Sequence, residues 1–313
     1  MIRILGPLAV DGVASRDLGG PRPQGLLAAL AVEFPQTVSR DRLVDLLWRV
    51  PPPSAAAAVH VYVSQLRRAL APSIAVVERA ASGYRLNGPD DLVDAARVEA
   101  TVRRARLLLA DGRSVEVRRA LDGLDEALRL FRGPPLEGLT SQPFAPPAAE
   151  RLDELRLQAA KLRVECQLEL GLELVTVADL DRLLGEHPYD EELWRLSALA
   201  LYRSSRQRDA LETLQRARRV LAADLGVVPG PGLRWLEEAI LNHDPSLQRG
   251  TGRVAGVQGT VLALAVAAVT VTVVVAAIVL SLAVEWTWAA VLLAGWALGL
   301  LQGRLARRAW PHR

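Results

Sequence analysis

The sequence predicts a mainly α-helical chain in three parts: a mixed N-terminal segment of short strands and helices, a long stretch of paired helices, and an apolar two-helix hairpin at the C-terminal end. Three observations carry this. Short β-branched runs flank helical patterns before residue 90. Leucine and alanine recur at helical spacing with short turns from there to about residue 243. No charged residue occurs from Val254 to Val284. At about 100–200 residues per domain, 313 residues suit two folded domains plus an apolar segment.

Within the N-terminal part, Ile2–Val10 has the character of a strand ending in a turn at Asp11-Gly12. Leu26, Leu27, Leu30 and Ala31 set a helix over Pro21–Glu33. Ser39 caps a second helix whose apolar face is Leu43, Leu46 and Leu47, and Pro51-Pro52-Pro53 ends it. Ser54 opens a third helix running to Leu70, with Val59, Val63, Leu66 and Leu70 as its buried face. Ile74–Val77 and Tyr84–Leu86 read as strands joined through Ala80–Gly83. Short strands, three helices and a terminal hairpin describe a winged helix over residues 1–90, with the third helix placed to enter a DNA major groove.

Residues 92–243 read as helices near 98–110, 115–131, 147–170, 175–186, 191–204, 208–224 and 231–242, a stack of helix pairs. Residues 244–256 are a linker. Apolar runs follow at 257–284 and 286–303, then a basic tail at 304–313. A helix needs about 20 apolar residues to cross a bilayer, and the first run exceeds that. Trp286 and Trp288 in the short turn suit the interface. Arg249, Arg253, Arg304, Arg307, Arg308 and Arg313 flank the runs, and the turn has no Lys or Arg. Positive charge therefore places both ends in the cytoplasm of a multi-pass cell-membrane protein. Gly295, Gly299 and Gly303 mark one face of the second run, suited either to packing within the hairpin or to a homodimer.

Composition excludes more than it assigns. The net charge of +3 is too small to argue for nucleic acid alone. Arginine supplies nearly all positive charge, and Lys161 is the single lysine. One cysteine, Cys166, rules out a disulfide within the chain and fits a buried apolar position. The N-terminal residues do not form a signal peptide, so an unexported soluble part is expected. His60, His187, His243 and His312 are scattered, no phosphate-cradling Gly-x-x-x-x-Gly-Lys loop occurs, and no nucleophile–base set stands out. No catalytic residue, metal site or cofactor is expected.

Val59–Leu70 followed by Gly83-Tyr84-Arg85-Leu86, together with Ser39–Leu43 and Leu47-Trp48, resembles the DNA-binding domain shared by response regulators and actinobacterial antibiotic-pathway activators, the SARP-like family. Arg129–Leu136, Glu150–Leu155, His187–Trp194, Ala198–Arg203, Arg208–Leu211, Asp224–Gly226 and Pro229–Pro231 are similar to the bacterial transcriptional activator domain that follows it in that family, a domain of tetratricopeptide-like repeats. The resemblance implies a transcriptional activator that binds double-stranded DNA. It also implies contact with RNA polymerase, another protein or a second copy through the repeats. Base-facing positions would fall near Ala57, Ala58, Val61 and Gln65. Of these Gln65 alone has bidentate donors and acceptors for a base edge, and Val61 suits a thymine methyl. His60, Tyr62, Ser64, Arg67 and Arg68 are phosphate candidates, with Arg79 on the wing. The run Ala55–Ala58 departs from the family, which often places Asn or Arg early in this helix. A second reading therefore stands beside the first: a membrane-tethered protein-interaction scaffold whose degenerate winged helix no longer reads DNA.

Overall fold

The computed structural model describes residues 1–248. The apolar runs at 257–284 and 286–303, the basic tail and the linker beyond Gln248 lie outside the described residues. No helix among the described residues is long and apolar enough to cross a membrane.

The first expected strand is two. β1 (Ile2–Arg3) and β2 (Ala9–Val10) pair antiparallel, Ile2 opposite Val10. Gly6 breaks the run, with φ at 140°, a region open to glycine. Between the strands, Ile4 and Leu5 turn their N–H groups to the Asp94 carboxylate at 2.9–3.1 Å. A 3-10 turn (Ser15–Leu18) leads to α1 (Pro21–Val32), whose proline sits at the first turn, where the missing N–H costs nothing.

β3 (Val38–Ser39) precedes α2 (Arg40–Leu47), and the Ser39 hydroxyl accepts from Arg42 N at 3.1 Å as the expected cap. α2 ends before the three prolines, because Trp48 is already extended. Ser54 holds the N-cap position of α3 (Ala55–Leu70) without a side-chain bond. β4 (Val76–Arg79) and β5 (Gly83–Asn87) form the hairpin, and β3 adds to β5, giving the order β3-β5-β4. β4 starts at Val76 instead of Ile74, because the Ser73 hydroxyl takes the Ala75 N–H at 3.2 Å and holds a turn there.

The helical part comprises α4 (Asp94–Asp111), α5 (Ser114–Leu128), α6 (Ala145–Glu169), α7 (Glu173–Glu186), α8 (Glu191–Arg203), α9 (Gln207–Leu225) and α10 (Pro231–Leu241). Successive helices pack as antiparallel pairs. Gly112 and Gly226 close α4 and α9 in the left-handed conformation that favours glycine. Asp190 caps α8 by accepting from Leu193 N at 3.1 Å. The start of the expected linker belongs to the fold: Pro245–Gln248 makes a 3-10 turn that seats Leu247 in the core.

The boundary expected near residue 91 is not a boundary in the packing. One apolar core runs from Ile2 through α1–α3 to Leu152 and Cys166, and a second gathers α7–α10 and Leu247. Polar bonds cross the same line. Ile2 N donates to Leu92 O at 2.7 Å, Arg132 N to Leu5 O at 2.8 Å and Leu136 N to Ile4 O at 2.9 Å. Arg151 donates to Val32 O at 3.0 Å, and Gln142 Nε2 donates to Pro21 O at 2.7 Å. α1 is thus gripped at both ends by the helical part.

Candidate nucleic-acid interface

α3 is strongly helical by composition. Its first turn is four alanines, the best helix formers, and no acidic residue occurs there to oppose an anion at the positive helix end. Arg67 and Arg68 in the last turn suit the negative end. Val59, Val63, Leu66 and Leu70 are buried, each contributing about 1.5–3 kcal/mol. Burying that face leaves Ala57, Val61, Ser64 and Arg68 as an exposed stripe, with Val61 63% exposed at its middle. Arg68 donates only to its own helix, to Ser64 O at 3.4 Å, and forms no ion pair among the described residues.

The flanks of α3 differ from the sequence expectation. Gln65 is half-buried, and its carboxamide lies against Gly19: a Cβ on that glycine would sit 2.2 Å from Gln65 Nε2. The expected base reader therefore packs onto the backbone after the 3-10 turn, with Ala58 half-buried on the same α3. Tyr62 is half-buried too. Its ring stacks on Trp48 with centroids 6.3 Å apart, and the Arg22 guanidinium lies 5.2 Å over the other ring of that pair. Arg22 also donates to Leu47 O, fixing the exit of α2. The Trp48–Arg22 pair escaped the sequence reading, because nothing local marks which helix an exposed-looking Arg will cover.

His60 and Arg67 join α3 to the hairpin. His60 Nδ1 and Tyr84 Oη are 2.5 Å apart, with the rings edge to face, and Arg67 Nε donates to Val77 O at 2.8 Å. Both residues remain exposed, and Arg67 uses only its Nε in that bond. On the hairpin, Glu78 accepts from Arg85 and Asn87, and those two bonds hold its carboxyl below the usual range. Arg79, opposite Tyr84, is exposed without an ion pair among the described residues, and so is Arg49 before α3. Among the described residues no three or more His, Cys, Asp or Glu gather as a metal site.

A helix with one face buried in a core and braced by a two-stranded hairpin is the architecture of a winged-helix transcriptional regulator. The transcriptional regulatory protein C-terminal model matches residues 19–86, and the bacterial transcriptional activator domain model matches residues 93–241. Transcriptional regulatory protein EmbR of Mycobacterium tuberculosis is 37% identical over 269 residues, covering 83% of this chain and 68% of that protein. Transcriptional regulator RedD of Streptomyces coelicolor is 33% identical over 257 residues, covering 79% of this chain and 72% of that protein. Regulatory protein AfsR of the same species is 38% identical over 248 residues, covering 78% of this chain but only 24% of its own length. A solved structure of Mycobacterium tuberculosis EmbR in complex with a low-affinity phosphopeptide superposes with a TM-score of 0.71 at 35% identity, covering 82% of this chain and 70% of that one. The chain belongs to the SARP-like family of transcriptional regulators, which join a DNA-binding winged helix to a bacterial transcriptional activator domain.

Proposed function

We propose that the chain is an activator that docks α3 in the major groove of double-stranded promoter DNA. The β4–β5 hairpin then lies on the flanking backbone, and the helical repeats contact RNA polymerase, another protein or a second copy. The observation that carries this is the acid-free exposed stripe Ala57, Val61, Ser64 and Arg68 on a helix whose other face is buried. Val61 meets a thymine methyl, Arg68 and Ser64 meet phosphates, and Arg67 and Arg79 meet the backbone beside the wing. His60 acts through the wing by its bond to Tyr84. The proposal includes tethering: the runs 257–284 and 286–303 hold the protein at the cell membrane, and the arginines at both ends keep the DNA-binding part and the tail in the cytoplasm.

The experiment is selection of bound duplexes from a random pool by the full chain, followed by affinity over a salt series. Binding is expected to weaken with salt, and Arg68→Ala is expected to reduce the slope of log K against log salt by about 0.9, uniformly across sequences. Val61→Ala is expected to relax preference at a thymine. Affinity no greater than for a neutral polymer, at any salt, defeats the DNA-docking reading. Extraction of the chain from membranes by alkaline carbonate defeats the tether.

The interaction scaffold keeps support from one observation. Gln65, the side chain best able to read a base, is packed against Gly19, and Ala55–Ala58 offer no base-reading group. Selection that returns no sequence preference, with the salt slope intact, favours that reading.

A further inference from the structure

The helical repeats carry uncompensated charge in a groove of their own. The first helices of successive pairs, α4, α6, α8 and α10, pack side by side, and two cavities of about 350 and 440 Å³ open between them. Leu109 and Glu165 line both cavities, so the two form one groove. Leu109, Leu162, Leu196 and Leu199 make an apolar lining, and Trp235 stands 51% exposed at the α10 end. The curved face of stacked helix pairs suits an extended protein ligand.

The cations of this groove are mostly engaged. Arg195 donates to both Glu192 oxygens at 2.8 and 2.6 Å. Arg203 gives its N–H groups to Leu247 O and Leu168 O, and Lys161 pairs with Asp190. Glu165 and Glu169 stand one helical turn apart on α6, on one side of the helix. Neither makes a hydrogen bond or ion pair among the described residues. Burial holds the Glu165 carboxyl above the usual range, and Glu192 and Glu169 push the same way against Arg195 and Arg106. A cation arriving from outside would relieve all three effects. At the α4 end, Arg106 bonds only the neutral Gln158, at 3.2 Å, so the groove runs from a positive end to a negative centre.

We propose that this groove docks a segment of a partner protein that presents a lysine or arginine flanked by apolar side chains. The cation meets Glu165 and Glu169 with the Trp235 ring beside it, the apolar neighbours lie on the leucines, and the acidic end of the segment points to Arg106. This deepens, and rests on, the reading of the repeats as a protein-contact domain.

The test is fluorescence anisotropy of the full chain with a labelled dodecapeptide repeating Leu-Lys-Leu-Ala, against a counterpart carrying Glu for Lys. The lysine peptide is expected to bind and the glutamate peptide not. Glu165→Gln is expected to weaken binding about tenfold, with a further loss on adding Glu169→Gln, while affinity for selected DNA is unchanged. Equal binding of the two peptides, or unchanged affinity in the double variant, overturns the proposal. Tighter peptide binding in a chain carrying Arg249→Glu and Arg253→Glu assigns the groove to the chain's own following residues and overturns it too. So does peptide-driven dissociation of a dimer, which assigns it to a second copy. The broader reading fails separately, when the full chain neither recruits polymerase nor self-associates. The groove assignment alone fails when the double Gln variant does so as well as the unaltered chain.

Discussion

The carboxylate of Asp94, first residue of α4, accepts the backbone N–H of Ile4 at 2.9 Å, and a second oxygen accepts that of Leu5 at 3.1 Å. This bond spans the line between the winged helix and the helical repeats and is fully buried. With Arg132 N on Leu5 O and Gln142 on Pro21 O, it makes the two parts one packed body.

Asp94→Asn replaces an acceptor with an NH2 group facing N–H donors, and should cost about 1–3 kcal/mol. Burial holds the Asp94 carboxyl above the usual range, against the opposing bonds from Ile4, Leu5 and Ala95 and the charge of Arg132. A raised folded pKa means that the folded state holds this proton more tightly than the unfolded chain. The contribution is therefore complete below the unfolded pKa of about 3.9 and is lost as pH rises through the folded one. The stability gap between the unaltered chain and Asp94→Asn should narrow from acid toward neutral pH in urea unfolding. A gap that widens would contradict the assignment.

Gly25 lies on α1 where a Cβ would fall 1.7 Å from Gln142 Oε1. Gly25→Ala should displace that amide from Pro21 O and lower stability by about 1–3 kcal/mol. Combined with Gln142→Ala, the loss should be smaller than the sum of the single losses. Strict additivity in thermal unfolding would show that the two residues do not share the contact.

Tyr84→Phe removes the hydroxyl that meets His60 Nδ1 while leaving a ring to fill the core. Stability should fall by about 0.5–1.5 kcal/mol. DNA affinity should weaken without a change in salt slope, because no phosphate contact is lost. A shallower slope would mean that Tyr84 or His60 had been contacting phosphate directly.

Cys166 is buried, and burial, with Glu165 adding to it, pushes its thiol up to about 12. At pH 8 the folded chain should react with a thiol reagent only as fast as the core opens, and urea should speed labelling steeply. Rapid labelling without denaturant would place the thiol nearer the surface.

Much of this was legible in the sequence. The 4-3-4 spacing of Val59, Val63, Leu66 and Leu70 marks the buried face of α3, because helical periodicity alone decides which side chains share a stripe. Ser39, Pro231 and Gly226 mark helix ends by local backbone chemistry, and the seven helices between residues 92 and 243 lie close to where their apolar spacing puts them. The order and spacing of Val59–Leu70 and Gly83-Tyr84-Arg85-Leu86 pointed to the family, whereas the bond from Tyr84 to His60 came only with the fold.

What the chain order alone determined, then, is the helices among the described residues, the buried face of α3 and the charge pattern around the two apolar runs. Tertiary structure decided the rest. It packed Gln65 onto Gly19, turned Tyr62 to Trp48, and left Glu165 and Glu169 in a leucine-lined groove with no hydrogen bond or ion pair among the described residues. It also merged two sequence domains into one core through Asp94, a residue that reads locally as an ordinary helix-starting acid. The physical reason is range. Periodicity and capping act within a few residues, whereas a buried carboxylate takes whatever donors the fold brings to it, here from 90 residues away.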